Sequence, residues 1–277
     1  MAPNEDRPGL RRAFPVDRAA LIVYLMAGYP DRATSLAALR EATAAGADVI
    51  ELGVPYGDPL ADGPVIANAG HASRLQPGGF GLAETLELAA EFTGAAPADA
   101  PPVALMTYFN PMLRMGLEQT ARRAVEAGVS GFIVPDLPPD SPMAGPWLEA
   151  AESRGLDTVF LAAPTSTEDR VRTVAQAASG FIYAVSSVGI TGERATLRDD
   201  LEPFLDRIRD ARAGNPTADI PVAVGFGVST PEQAARIARI ADGVVVGSAI
   251  VRRQEDPASV GAFVGELAAA VRTARAT

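Results

Sequence analysis

Residues 48–64 form the stretch DVIELGVPYGDPLADGP. It begins with a short apolar run and continues into a loop of glycine, proline and acidic residues. An apolar run of this length is typical of a strand that is buried on both faces in a parallel sheet. Similar runs recur along the chain, each followed by a segment with helical spacing. The eight runs are Ala20–Met26, Asp48–Gly53, Pro102–Tyr108, Gly131–Pro135, Thr158–Ala162, Phe181–Val185, Pro221–Gly225 and Gly243–Gly247.

The segments between the runs carry helix start and stop signals. Ser35–Ala45 and Glu118–Ala127 are each followed directly by a glycine, the residue that most often ends a helix. After the seventh run, the pair Ser229-Thr230 places a capping hydroxyl before Pro231 at the first helical position. These signals predict strands and helices in strict alternation.

Eight strand–helix units predict an α/β fold, a single (β/α)8 TIM barrel over residues 1–277 with extra N-terminal and loop helices. Residues 1–13 are expected to form a loosely held segment or helix. A doubly wound open sheet is the competing architecture, although no G-x-G-x-x-G turn follows the first strand. A barrel carries its active site at the carboxyl ends of its strands, where the loops after strands two and six concentrate Gly, Pro, Ser, Thr and acidic residues.

The composition excludes several kinds of chemistry. The net charge of −10 argues against a nucleic-acid binder, and the absence of cysteine removes disulfides and thiolate catalysis. All 24 basic residues are arginine, so no lysine can form a Schiff base with a substrate or with pyridoxal phosphate. His71 is the single histidine, which rules out a multi-histidine zinc site. Acid–base work must therefore fall to carboxylates, tyrosines or arginine-assisted groups.

The chain also lacks sequence signals for export or membrane insertion. Its first residues contain no apolar run of the kind found in a signal peptide, and no stretch approaches the length of a membrane span. A cytoplasmic protein is therefore expected. His71 is interpreted as a structural or solvent-facing residue of a helix, and Trp147 as a residue that packs a helix against the barrel.

Two carboxylates mark the loop after strand two as a candidate active site. Glu51 stands near the carboxyl end of an apolar strand, where burial raises the pKa of a carboxyl group and suits it to exchange protons near neutral pH. Asp62 follows eleven residues later, and the two together make an acid–base set. The competing interpretation is an ordinary ion pair for Glu51 and a helix-capping role for the loop acids.

The string ELGVPYGDPLADGP closely resembles the signature of tryptophan synthase α chains, in which Phe-Ser usually stands at the position of Tyr56-Gly57. The resemblance covers nearly the whole chain. Its other segments are YLMAGYP at 24–30, MTYFNP at 106–111, PDLP at 135–138, SVGITG at 187–192, GFGVS at 225–229 and VGSAI at 246–250.

The resemblance implies that the chain cleaves indole-3-glycerol phosphate into indole and glyceraldehyde 3-phosphate by a retro-aldol reaction. Glu51 would protonate the indole carbon that carries the side chain, and Asp62 would hydrogen-bond the indole N–H. Thr191 would fold over the substrate and contact Asp62. The remaining substrate-binding positions, for the indole ring and for the phosphate, would be Tyr24, Met106, Tyr108, Ile133, Leu161, Tyr183, Gly192, Gly225, Phe226, Gly227, Val245, Gly247 and Ser248.

The family works as an α2β2 assembly with a β subunit that carries pyridoxal phosphate and receives the indole. No cofactor is expected in this chain, because it has no lysine to bind one covalently. A catalytically weak barrel that mainly activates the β subunit stays open as an alternative. Indole-glycerol-phosphate synthase chemistry would need a lysine, and epimerase chemistry would need histidines for a metal. The interface positions implied by the resemblance are Pro55, Tyr56, Asp58, Pro59, Asn110, Pro111, Asp136 and Pro138.

Overall fold

Eight parallel strands close into one barrel, in which each strand pairs with the next along the chain and the last pairs with the first. The computed structural model describes residues 9–97, 99–185, 201–213, 219–225 and 227–275. The prediction of a barrel is confirmed, and the open doubly wound sheet is wrong. The strands are β1 (Ala20–Met26), β2 (Val49–Gly53), β3 (Val103–Met106), β4 (Val129–Ile133), β5 (Asp157–Ala162), β6 (Ile182–Val185), β7 (Val222–Gly225) and β8 (Gly243–Val246).

Each of the eight predicted runs overlaps an observed strand, and the ends differ by up to two residues. The largest difference is in β4, which begins at Val129 rather than Gly131, because a strand that pairs on both sides tolerates the small residues Ser130 and Gly131. β3 ends at Met106, two residues before the predicted end, because Tyr108 already occupies the position just before the helix that begins at Phe109. Strand position was therefore readable from apolar runs, while strand ends depended on pairing.

Helices follow the strands, and several short ones lie in the connecting loops. The helices of the described residues are α1 (Arg32–Ala44), α2 (Pro64–Arg74), α3 (Leu82–Ala95), α4 (Phe109–Met115), α5 (Leu117–Glu126), α6 (Ala144–Glu152), α7 (Glu168–Ala177), α8 (Leu201–Arg212), α9 (Pro231–Ala238), α10 (Ser248–Val251) and α11 (Pro257–Thr273).

The start and stop signals predicted from the sequence coincide with the observed ends of the helices. Gly46 and Gly128 follow α1 and α5 with φ of 102° and 75°, a backbone conformation that glycine adopts without strain. The side chain of Thr230 accepts a hydrogen bond from the Gln233 N–H, and Pro231 is the first residue of α9. None of the described helices is long and apolar enough to cross a membrane.

The N-terminal part of the chain closes the amino-terminal end of the barrel. Residues 1–8 lie outside the described residues, whereas Leu10–Ala13 forms a short 3-10 helix. Leu10 is fully buried, and its N–H donates a hydrogen bond to the Asp157 carboxylate over 2.7 Å. A Cβ at Gly131 would lie 2.6 Å from the Leu10 side chain, so the absence of one there makes room for this plug.

Apolar side chains fill the space between the outer face of the barrel and the surrounding helices. Trp147 of α6 packs edge-on against Phe132 of β4, with 4.9 Å between ring centroids and 74° between ring planes. The predicted packing role of Trp147 is confirmed. His71 is exposed on α2, as predicted.

Candidate active site

Glu51 is a buried carboxyl group at the carboxyl-terminal part of β2. It pairs in register with Tyr24 of β1 and Ala104 of β3, and only 1% of it is exposed. Its Oε2 atom has no hydrogen-bond partner among the described residues. Burial, followed by the nearby charge of Asp62, raises the pKa of Glu51 to about 8. The group is therefore protonated at neutral pH and can donate a proton.

Asp62 lies on the loop between β2 and α2, just before the helix begins. Its N–H donates to the Pro59 carbonyl oxygen over 3.0 Å, which forms a turn at the end of the loop. Burial raises the pKa of Asp62 to about 7, and a hydrogen bond from the Tyr108 hydroxyl acts in the opposite direction. The two carboxyl groups therefore titrate close to neutral pH, and the charge of Asp62 disfavours ionisation of Glu51.

Three tyrosines contribute hydroxyl groups to the same region. Tyr24 and Tyr183 face the barrel interior, and burial and then the charges of Asp62 and Glu51 raise the pKa of both phenols well above the usual value. Burial likewise raises the pKa of Tyr108. These hydroxyls therefore stay protonated near neutral pH, and each keeps a proton that it can donate in a hydrogen bond.

Two strand-end glycines make room for these rings. A Cβ at Gly53 would fall 2.0 Å from the Tyr24 hydroxyl oxygen, and a Cβ at Gly225 would fall 2.4 Å from that of Tyr183. Any side chain at either position would push a phenol out of place. The sequence analysis named Gly225 but missed Gly53, although its position at the end of a strand was a usable signal.

The predicted apolar slot is largely assembled by the barrel interior. Leu161 packs against the cluster of buried side chains in the barrel interior, and Tyr108 is buried just after the end of β3. Val65 and Ile66 at the start of α2 pack against the same group, and the sequence analysis missed both. The helical spacing of apolar residues does not predict which residue of the helix will contact a strand that lies more than a hundred positions away in the sequence. Members of one interior cluster are Tyr24, Met106, Ile133, Tyr183 and Val245.

Small residues meet where β7 and β8 end. The two strands are adjacent in the barrel, Gly225 is the last residue of β7, and Gly247 directly follows β8. Gly227 is exposed with φ of 88°, and a Cβ there would meet nothing within 4 Å. Ser248 is the first residue of α10. The arrangement leaves open backbone at the position where barrels commonly hold phosphate.

Three predicted substrate positions fall outside the described residues. They are Thr191, Gly192 and Phe226.

The positions implied for a partner interface lie on neighbouring loops at one edge of the barrel mouth. Tyr56 stacks on Tyr108, with ring centroids 4.9 Å apart and 24° between the planes. The Asn110 side-chain amide donates to the Tyr56 hydroxyl over 3.4 Å, and the Phe109 N–H donates to Asp136 over 2.9 Å. These contacts join the β2–α2 loop, α4 and the β4–α6 loop.

The outer positions of this edge are open to solvent to different degrees. Asp58 is exposed, Leu60 is 75% exposed and Pro55 is buried beneath the loop. Positions of intermediate exposure are Pro59, Pro111 and Pro138.

The described part of the chain contains no group of three or more His, Cys, Asp or Glu side chains that could hold a metal ion. A buried carboxyl group (Glu51), a half-buried one (Asp62), an apolar slot and open backbone at Gly227 after β7 instead occupy the mouth of the barrel. The fold and the site define a (β/α)8 barrel with titratable carboxyl groups at its mouth, where barrel enzymes carry their active sites.

Comparison with known proteins identifies the family. The sequence model of the tryptophan synthase alpha chain family matches residues 11–274. The tryptophan synthase alpha chain of Caulobacter sp. (strain K31) is 45% identical over 267 residues, which cover 94% of this chain and 93% of that protein. The chain therefore belongs to the tryptophan synthase alpha chain family. It is a lyase of the kind that cleaves indole-3-glycerol phosphate to indole.

Solved structures agree in fold. A chain of tryptophan synthase from Mycobacterium tuberculosis matches with a TM-score of 0.81 at 43% identity, covering 92% of this chain and 93% of that chain. A chain of the α2β2 complex from Pyrococcus furiosus, described as a case of mutual activation, matches with a TM-score of 0.80 at 35% identity. That match covers 91% of this chain and 98% of that chain.

Proposed function

We propose that Glu51 and Asp62 carry out the cleavage of indole-3-glycerol phosphate in this chain. The observation that carries the proposal is a carboxyl group of 1% exposure, Glu51, held protonated at neutral pH beside a second carboxylate. Such a group can deliver a proton to a carbon atom without help from a metal ion or a lysine.

The reaction proceeds by two proton transfers. Glu51 donates its proton to the indole carbon that bears the glycerol side chain, which places a positive charge on the ring nitrogen. Asp62, as a carboxylate, accepts a hydrogen bond from the indole N–H and stabilises that charge. A base then removes the proton of the adjacent side-chain hydroxyl. The electrons of the carbon–carbon bond return to the ring, which gives indole and glyceraldehyde 3-phosphate.

Glu51 serves as that base in the second step. After the first transfer it is a carboxylate, and it recovers its proton by taking the one from the hydroxyl group. The residue thus returns to its starting state, as a catalyst must. Its raised pKa makes the recovered proton stable in the buried site.

The two ends of the substrate fit different surroundings. The indole ring would lie in the interior slot beside Tyr24, Met106 and Tyr183, which is mostly apolar, as ring-binding sites usually are. The phosphate would lie between the open backbone at Gly227 and Ser248 at the start of α10, where N–H groups can bind an anion. Thr191 and Gly192 stay predictions for the third side of the site.

The expected partner is the β subunit of tryptophan synthase in an α2β2 assembly. The β subunit would hold the pyridoxal phosphate and receive the indole. Its docking surface on this chain would be the edge that carries Tyr56, Asp58, Asn110 and Asp136, since these residues share one side of the barrel mouth. The cytoplasmic location that the sequence suggests stays a prediction.

Glu51→Gln tests the assignment of the acid. Gln fills the same space but cannot donate and recover a proton, so indole release should fall by about 10²–10⁴-fold. Binding of an indole-propanol phosphate analogue, followed by calorimetry, should stay within a few-fold of the unaltered chain. Near-normal indole release by the variant would overturn the role of Glu51.

The same assay separates the enzyme from its alternative. A barrel that only activates the β subunit would release no indole by itself and would still raise the rate of the β reaction. Indole release by the isolated chain, abolished by Glu51→Gln, excludes that alternative.

A further inference from the structure

Tyr108 connects the end of β3 to the loop that holds Asp62. Its hydroxyl oxygen accepts a hydrogen bond from the Ala61 N–H over 2.9 Å, so the hydroxyl proton is free to point at the Asp62 carboxylate. Tyr108 occupies the position just before α4, and the first N–H of that helix, from Phe109, donates to the Asp136 carboxylate over 2.9 Å. The contact therefore fixes the loop to a part of the barrel that cannot shift easily.

Tyr56 supports Tyr108 from the outer side of the loop. Its ring stacks on that of Tyr108, with 24° between the ring planes and 4.9 Å between the centroids. Its hydroxyl oxygen accepts a hydrogen bond from the Asn110 side-chain amide. Tyr56 precedes Asp62 by only six residues in the same loop. Tyr108 follows β3 and contacts the β2–α2 loop twice, through its hydroxyl at Ala61 and through its ring at Tyr56.

We propose that Tyr108 and Tyr56 form a positioning pair that holds Asp62 at the indole nitrogen before the substrate arrives. This inference rests on the proposed role of Asp62. It gives Tyr108 a task beyond lining the slot and gives Tyr56 one beyond contacting a partner. Asn110 ties the pair to the docking edge, so a partner bound there would act on Asp62 through Tyr56.

The charged and titratable groups that face Asp62 are few among the described residues. Glu51 approaches from β2, Tyr24 from β1 and Tyr183 from β6, together with Tyr108 from the end of β3. Of these groups, Tyr108 is the one whose hydrogen bond lowers the pKa of Asp62. Loss of its hydroxyl therefore raises the pKa of Asp62 further above the usual value for an aspartate.

Tyr108→Phe tests the inner half of the pair, because it removes the hydroxyl and keeps the ring. We expect kcat for indole release to fall by about tenfold with KM changed less than threefold, as for loss of one hydrogen bond to a charged group. The acidic limb of the pH profile should move to higher pH. A carbon-13 titration of the Asp62 carboxyl by NMR should move in the same direction.

Tyr56 is tested by a pair of variants. Tyr56→Leu removes the stack and should shift the Asp62 titration as Tyr108→Phe does, to a smaller extent. Tyr56→Phe keeps the stack and should leave the isolated chain's titration unchanged. The stacking role is abandoned if the Asp62 titration in Tyr56→Leu matches the unaltered chain, with folding verified by circular dichroism.

Tyr29→Phe is the matched control. It removes another phenol hydroxyl that is hydrogen-bonded to a carboxylate, that of Glu255 over 2.5 Å, on a different loop. It should leave the Asp62 titration where it is. An unmoved Asp62 titration in Tyr108→Phe overturns the positioning role. The NMR titration needs no substrate, so it tests the positioning role separately from the proposed function. A chain that released no indole would contradict the proposed function and would leave the NMR test of the positioning role decisive.

Discussion

Tyr24 and Glu51 are register partners on the adjacent strands β1 and β2, so a phenol and a carboxyl group share one layer of the barrel interior. The layer is almost free of solvent, with exposed fractions of 3% and 1% for the two residues. A carboxyl group in such a layer is more stable neutral than charged. The proton chemistry of the site follows from this placement.

The activity should depend on pH in a narrow bell. Asp62 must be charged, so activity is lost as the pH falls through about 7. Glu51 must be protonated, so activity is lost as the pH rises through about 8. The two limbs belong to the coupled pair and are measured as kcat/KM for indole release against pH. A rate that stays flat between pH 8 and 10 would contradict the role given to Glu51.

Glu51→Gln should stabilise the folded chain at high pH. The pKa of Glu51 is raised in the folded state, so its penalty is absent below about 4.5, grows as the unfolded chain ionises, and is complete above about 8. The glutamine variant should therefore gain at least about 2–4 °C in Tm at pH 9, as for 1 kcal/mol in a chain of this size.

The gain should shrink towards zero at pH 4.5. Glu266→Gln, on the exposed side of α11, is the control and should show no such pH-dependent gain. Equal melting shifts for the two variants at pH 9 would count against a buried, neutral Glu51.

Gly53→Ala should disturb the site through Tyr24. The new Cβ would lie 2.0 Å from the Tyr24 hydroxyl oxygen and 2.4 Å from its ring carbon Cζ, so the phenol must move. We expect a loss of about 1–3 kcal/mol in the free energy of unfolding, together with a large fall in indole release. Urea unfolding of both single variants and the double variant with Tyr24→Leu measures the coupling.

The double variant should be more stable than the sum of the two single effects predicts. Strict additivity would mean that the clash with Tyr24 is not the cause. Gly94→Ala is a suitable control, because a Cβ at Gly94 of α3 meets nothing within 4 Å.

Leu10→Ala should weaken the whole barrel, although Leu10 lies near the N-terminus. Its side chain is fully buried in the barrel interior cluster, so truncation should cost about 2–5 kcal/mol in the free energy of unfolding. Val16→Ala is the matched control, since Val16 is fully exposed and its truncation should cost less than about 0.5 kcal/mol. A small effect of Leu10→Ala in urea unfolding would show that the plug is dispensable.

The sequence also allowed much of the site to be predicted. The absence of lysine and the single histidine left carboxylates to do proton chemistry, and the resemblance of the string ELGVPYGDPLADGP to the family signature singled out Glu51 and Asp62. The glycines after strands seven and eight followed from their places in a repeated unit. Gly53, Val65 and Ile66 could not be found in that way. Their importance arises from side chains that approach from other elements.

The alternation of eight strands and helices is readable from the chain alone, because burial on both faces requires apolar runs and glycine ends helices without strain. The composition likewise excludes Schiff-base and multi-histidine chemistry. Three relationships appear only in the folded chain: Tyr24 shares a layer with Glu51, Tyr56 stacks on Tyr108, and Leu10 closes the barrel. Closure of the barrel sets the register between strands, and no local pattern encodes that register. Burial and pKa then follow from atoms that lie far apart in the chain.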